Sequence, residues 1–285
     1  MFSSEQLKSR IKQAAKDLGV SDVNRVRTIV ALERIVARLV VNPFLKEHLV
    51  FGGGFVLYKE FGSNRYTKDA DAVIRGTNPE KLKTEIKNAL ALDLNDGFWF
   101  GDIFEEDLKA ESGYGGIRFN ILYKVGHPFP SEEEKSSLRR IHLDISIGVD
   151  LEDVAQVTKS DSILAQLGFI EWKVYPPEFI ASEKIHCLLY RGGANTRGKD
   201  VYDLNVLFRE VSNELLTQAI QSTFVRRKFK VKSLYEEALR IETSNLEDSF
   251  KHVMIENRKD AFPSLWVLIL DKFKELDEFK GKTHG

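Results

Sequence analysis

The sequence predicts an α+β protein: a mixed α/β core with a small mixed sheet flanked by helices, followed by an all-helical C-terminal domain. Three features carry that reading. A short apolar run, Leu49 to Phe51, breaks into consecutive glycines and then a helical pattern. Arg140 to Gly148 alternates apolar and polar residues at the strand period. Beyond about Asp150 the pattern becomes helix after helix. The change of pattern sets the expected domains at 1–170, the core with its N-terminal helices, and 171–285, the helical part that completes a cleft with it.

Taken in order, Glu5 to Leu18 and Ser21 to about Leu39 read as helices, the second with Ser21 placed as its cap. Leu49 to Phe51, the turn Gly52-Gly53-Gly54 and the helix start at Phe55 to Phe61 form a strand, glycine turn and helix. Asp69 to Ile74 reads as a strand, Pro79 to Leu92 as a helix opened by proline, and Gly116 to Val125 as a further strand. In Arg140 to Gly148, Ile141, Leu143, Ile145 and Ile147 alternate with His142, Asp144 and Ser146, so one face is core and the other polar. The helical half comprises Pro177 to Arg191, Lys199 to Val211, Asn213 to Thr223, Leu246 to Ile255 and Pro263 to Phe279.

Composition narrows the class. The 285 residues are 42% hydrophobic and 30% charged, the balance of a globular protein with enough chain to bury a core. No apolar run approaches the ~18 residues of a membrane span, and the polar N-terminus lacks a secretory pattern, so a cytoplasmic protein with no membrane partner is expected. Cys187 is the only cysteine, which rules out an internal disulfide or a cysteine-built zinc site. The net charge of -1 gives no bulk attraction to nucleic acid. One local patch, Arg226, Arg227, Lys228, Lys230 and Lys232 around Phe229, is suited either to tracking phosphates or to a solvated face.

Asp69 and Asp71 flank Ala70 on a predicted strand, so both carboxylates leave the same side of the sheet. Such neighbours repel unless they reach solvent or share a cation, which suggests a Mg²⁺ site completed by phosphate oxygens. An isolated Asp-x-Asp also occurs at solvated strand ends. Here, however, Gly53 lies upstream in a turn between strand and helix, where exposed N–H groups and the helix dipole favour a phosphate. Asp144, on the polar face of the alternating strand, supplies a third acid. Three carboxylates on neighbouring strands can hold two cations about 3.5–4 Å apart, the arrangement used in phosphoryl-type transfer.

Other motifs fail. Leu57 occupies the position of the third glycine in a dinucleotide fingerprint, and no Gly-Lys-Ser/Thr follows the glycines. Val73 and Ile74 break an EF-hand beginning at Asp69. The histidines, His142 and His186 among them, lack metal-ligand spacing.

Four motifs in order, Phe51-Gly52-Gly53, then Arg65 through Asp71, then Lys184, then Arg197 through Leu204, resemble those of the AbiEii/AbiGii toxin nucleotidyltransferases of the polymerase-β-like superfamily. The resemblance spans roughly residues 45–210. It implies that Gly52 and Gly53 cradle a nucleoside triphosphate, that Asp69 and Asp71 bind metal with Asp144 as third acid, and that Lys184 reaches the phosphates. It further implies a functional acid at Asp200, as base or acceptor-orienting group. Arg65 and Thr67 fall where the family carries an arginine and a serine, and Thr67 can donate to a phosphate. Gly54 stands where relatives commonly have threonine, and the Gly53-to-Asp69 spacing is longer than usual.

In the helical half, positions 184, 188 and 191 share a face, so Lys184 and Arg191 can project together, while Asp200 sits near the start of its helix. A Lys184–Asp200 or Arg191–Asp203 ion pair between adjacent helices is the structural alternative. The expected reaction is attack of an acceptor hydroxyl on the α-phosphorus of an NTP held with two Mg²⁺ ions between the halves. Asp144 or Asp200 would handle the hydroxyl proton, and Lys184 would offset charge on the leaving pyrophosphate. The resemblance implies a toxin with RNA, the tRNA 3′ end included, as acceptor and a cognate antitoxin as partner. The alternatives are transfer to a small hydroxylated molecule, as in aminoglycoside nucleotidyltransferases, and a non-catalytic nucleotide-binding module.

Overall fold

The computed structural model describes residues 3–111, 114–148 and 154–283. The chain divides into two compact units, Met1–Val56 with Thr67–Tyr175, and Leu57–Tyr66 with Pro176–Gly285.

The first unit is built on a seven-stranded mixed sheet in the order β3-β4-β5-β2-β1-β7-β6. Its strands are β1 (Leu49–Gly52), β2 (Asp69–Ile74), β3 (Phe98–Glu111), β4 (Tyr114–Val125), β5 (Arg139–Ile147), β6 (Gln156–Asp161) and β7 (Phe169–Val174). β2 runs parallel to β5 and β1 parallel to β7, while the other pairings are antiparallel. The sheet is larger than the sequence predicts, because β3, β6 and β7 are additions. β3 escapes a period-2 reading because its register shifts between Gly101 and Phe104, with Asp102 at φ 42°.

Alternation decides which face of each strand is buried. Ala70, Ala72 and Ile74 of β2 and Ile141, Leu143 and Ile145 of β5 are buried, and the residues between them are half-buried on the opposite face. Around the sheet lie α1 (Ser4–Asp17), α2 (Val23–Val41), α3 (Pro43–His48), α5 (Pro79–Leu90) and the short α6 (Glu132–Lys135); α4 (Gly53–Glu60) follows β1 directly. The cap of α2 is Asp22 rather than Ser21, its carboxylate accepting from the Asn24 amide. α2 packs on β5 and β7 and carries ionised groups inward. Arg34 and Arg38 both bind Asp96, at 2.7 and 2.8 Å, and Glu33 accepts from the Ser162 hydroxyl at 2.6 Å. Each buried charge therefore has a partner, as its desolvation requires.

The second unit is helical apart from one bridge among the described residues: α7 (Pro177–Arg191), α8 (Gly198–Leu207), α9 (Asn213–Arg226), α10 (Leu234–Leu239), α11 (Ser244–Lys251) and α12 (Phe262–Thr283). Its core includes Leu188, Val201, Leu204, Leu246, Phe250, Ile269 and Phe273, all fully buried. Burying such side chains stabilises by about 1.5–3 kcal/mol each. Segment 57–66 joins this unit because Arg65 bridges Ile255, the Tyr66 amide donates to the Met254 carbonyl at 2.9 Å, and the Glu256 amide donates to the Asn64 carbonyl at 3.0 Å. No helix among the described residues is long and apolar enough to cross a membrane.

Candidate active site

One row of residues crosses four strands at a single register. Gly52 of β1 pairs with Asp71 of β2, Asp71 with Asp144 of β5, and Asp144 with Arg118 of β4. Strands lie about 4.8 Å apart, so Asp71 and Asp144 are immediate neighbours. Asp69 lies two positions before Asp71 on the same face and pairs in register with His142. The structure thus brings the three predicted acids to one face of the sheet beside the predicted glycine turn.

The turn is built around Asp71. Gly53 has φ +68°, and a Cβ added there would meet the Asp71 carboxylate, 1.9 Å from Oδ2. Both its backbone conformation and the space against the acid require glycine. At Gly52 a Cβ would lie 2.8 Å from the Tyr175 ring. Gly53 also opens α4, so the first amides of that helix lie next to the acid row.

Around the acids, side chains take roles that the sequence left open. The Thr67 hydroxyl donates to Asp69 Oδ1 at 2.7 Å and to its carbonyl at 3.2 Å, so it orients the acid. Arg118 forms a two-pronged bond to Asp144, Nε to Oδ1 at 2.8 Å and Nη2 to Oδ2 at 2.7 Å, and that bond holds the guanidinium above its ordinary pKa. Burial first, then the Arg118 charge, lowers the pKa of His142, leaving a neutral ring at neutral pH; its Nδ1 is buried without a partner.

In the second unit the remaining predicted residues form a buried charge cluster. The Lys184 ammonium lies 2.6 Å from Asp200 and 2.8 Å from Asp203, Arg197 Nε is 2.7 Å from Asp200, and Arg65 binds both oxygens of Asp203 at 2.7 and 3.0 Å. Asp200 and Asp203 are completely buried, and Lys184 is only 8% exposed. Burial pushes the Asp200 carboxyl up, yet Lys184 and Arg197 outweigh it and hold Asp200 below the usual carboxylate range. Burial likewise opposes the Lys184 charge, and Asp200 and Asp203 together raise its pKa. Of the two alternative ion pairs raised by the sequence, Lys184–Asp200 is present, while Asp203 pairs with Arg65 and Lys184. Arg191 ends α7 half-buried. In the basic segment, Arg226 and Arg227 both bind Glu183, whereas Lys228, Lys230 and Lys232 are exposed.

Asp69 and Asp71 offer hard oxygen donors from one face, the donor type that suits Mg²⁺ completed by phosphate oxygens, and the orphaned Nδ1 of His142 lies in register beside them. Among the described residues no three acidic, histidine or cysteine side chains close on one point, and the Asp144 carboxylate is bonded to Arg118. The donors therefore fit an ion held by the pair. The signal for Arg118 was present in Gly116 to Val125, a predicted strand with one charged residue between buried Ile117 and Phe119.

Residues 34–278 match the family described as nucleotidyl transferase AbiEii toxin, type IV toxin–antitoxin system. The fold is similar to that of MenT4, a nucleotidyltransferase toxin from Mycobacterium tuberculosis H37Rv, with a TM-score of 0.62 and 17% identity over 93% of this chain and 89% of that one. It is similar also to JHP933 from Helicobacter pylori, with a TM-score of 0.54 and 14% identity over 89% and 93% of the two chains. Among curated proteins none matches by sequence. Fold and family together define a nucleotidyltransferase. More closely, the chain belongs to the AbiEii toxin family of type IV toxin–antitoxin systems.

Proposed function

We propose that this protein transfers a nucleoside monophosphate from a nucleoside triphosphate to a hydroxyl of RNA, the tRNA 3′ end included, and that this modification is its toxic act in the cytoplasm. The reading is carried by the packing of Gly53 against Asp71 within the row of acids, a seat whose shape and donors suit a triphosphate beside two carboxylates. The oxygen of the acceptor hydroxyl bonds to the α-phosphorus as its proton passes to Asp144, the bond to the bridging oxygen breaks, and pyrophosphate leaves with that electron pair.

Asp69 and Asp71 would hold a divalent ion, which supplies Lewis-acid stabilisation of charge on the phosphates. Thr67 keeps Asp69 in its orientation through the 2.7 Å bond. The amides that open α4 donate to the phosphates, where the helix dipole favours negative charge. Of the two acids considered for the hydroxyl proton, Asp200 is sealed in its ion pairs and is a poor acceptor. Asp144 faces the same side as the metal pair, and lone pairs not used by Arg118 can orient the hydroxyl. Lys184, committed to Asp200 and Asp203, serves to hold the helical unit together rather than to bind phosphate. The exposed Lys228, Lys230 and Lys232 supply contacts for the RNA backbone. An antitoxin encoded with the toxin is the expected partner.

Incubation with each α-labelled NTP, Mg²⁺ and total cellular RNA, beside Asp71→Asn, tests the reading. Label is expected on RNA with the unchanged protein alone. Label only on small hydroxylated compounds would move the assignment to a small acceptor, and nucleotide binding with no transfer to any acceptor would leave a binding module.

A further inference from the structure

The third acid of the row already has a cation. Arg118 is the cross-strand partner of Asp144, and its guanidinium bonds both carboxylate oxygens, at 2.8 and 2.7 Å. We infer that Arg118 acts as a tethered cation in the place of a second metal, so that the protein binds one divalent ion, through Asp69 and Asp71, where an unobstructed row of three carboxylates would bind two. This inference rests on the proposed metal-dependent reading and specifies the stoichiometry of that site.

Several observations carry it. Ile117 and Phe119, on either side of Arg118, are buried on the other face, so the strand fixes Arg118 on the face of the acids. The Asp144 side chain is 16% exposed and that of Arg118 35%, so the pair lies mostly out of water, where a charge-assisted, two-pronged bond is strong. Asp69 also acts electrostatically on Arg118, which places the guanidinium within the field of the metal-binding pair. A dication arriving at Asp144 would have to displace the fork and would then lie beside a positive charge that the strand holds in place. Arg118 neutralises the third acid without an ion being recruited from solution. As a positioning residue it fixes the orientation of Asp144 through both oxygens, with lone pairs left for an acceptor hydroxyl.

The test is a Mn²⁺ titration of the full chain followed by electron paramagnetic resonance, with a non-hydrolysable analogue of each NTP present and free ion read from the six-line signal. The unchanged protein is expected to hold about one Mn²⁺ per nucleotide complex, and Arg118→Met about two. In Arg118→Met/Asp144→Asn the count should return to about one, and Asp144→Asn alone should leave it at about one. Thermal unfolding of each variant checks that it is folded, and the count for the unchanged protein stands even where a variant is not. Two ions on the unchanged protein would overturn the inference while leaving the metal-dependent reading intact, since Arg118 would then have swung away on nucleotide binding. A count of one on folded Arg118→Met would also overturn it. No bound ion on any form would overturn the metal-dependent reading itself, and the inference with it.

Discussion

A Cβ added at Gly53 would lie 1.9 Å from Oδ2 of Asp71, so the residue that opens α4 and the central acid of the row are packed into each other. Gly53→Ala therefore displaces the carboxylate as well as straining a backbone at φ +68°. Nucleotide transfer should fall by about 100-fold, the scale of a 1 Å misplacement of a reacting group. Stability should fall by about 1–2 kcal/mol from the left-handed backbone. Transfer of labelled nucleotide and thermal unfolding measure the two effects separately. Activity within a few-fold of the unchanged protein would remove Asp71 from the centre of the site.

Asp71→Asn keeps the size of the side chain and removes its charge. Because Asp71 lies on the polar face of β2 while Ala70 and Ala72 face the core, the variant should lose transfer and keep its fold, with stability changed by less than about 1 kcal/mol. Circular dichroism melts alongside the transfer assay read both. Loss of the fold would mean that Asp71 is a structural residue.

The buried cluster around Lys184 predicts a different outcome. Asp200→Asn leaves Lys184 and Arg197 without one of their acids and should destabilise the protein by about 3 kcal/mol, in the range measured when buried ion pairs lose a partner. The pH dependence has a definite sign. Asp200 and Asp203 have folded pKa values below the ordinary carboxylate value, so their contribution is present above about pH 4 and is lost as the medium becomes more acid. Lys184 has a raised folded pKa, so its contribution is present below about pH 10 and is lost above it. Urea unfolding from pH 2 to 7 should show a shallower acid limb in Asp200→Asn. An unchanged limb would assign the acid sensitivity to other groups.

These outcomes separate what the sequence made legible from what it hid. The period-2 pattern of Arg140 to Gly148 placed Asp144 on the correct face, and the Asp69–Ile74 strand has the bounds expected of it. Glycine between strand and helix marked the turn, because only glycine is free of the side chain that would strike Asp71. Cross-strand partners were hidden. That Arg118 meets Asp144, or that Arg65 meets Asp203 across 138 positions of sequence, follows from register and from backbone pairing with distant segments, which local patterns do not encode. β7 carries an alternation that the sequence reading passed over, Ile170, Trp172 and Val174 between outward residues, whereas β6 lies at the sheet edge with mostly exposed side chains and leaves no apolar stripe.

For the RNA interaction, the five basic residues between Arg226 and Lys232 divide in two. Arg226 and Arg227 are bound to Glu183, and reversing them would leave an unpaired acid and confuse folding with binding. Lys228, Lys230 and Lys232 are exposed and can be changed cleanly. Substituting all three with glutamate should lower RNA labelling and reduce the salt dependence of RNA binding, by about one unit of the log–log slope for each phosphate that is no longer neutralised. A filter-binding titration at several salt concentrations measures the slope. An unchanged slope would place the RNA elsewhere.

Asp69 and Asp71, beside Gly52 and Gly53, are expected to seat the triphosphate through a divalent ion. Crystals grown with Mn²⁺ and a non-hydrolysable NTP analogue, measured for anomalous scattering, test it directly. The expected result is an anomalous peak bonded to Asp69 and Asp71, with the phosphates lying along the glycine turn. A nucleotide bound away from that turn, or a peak that touches neither carboxylate, would place the active site elsewhere in the protein.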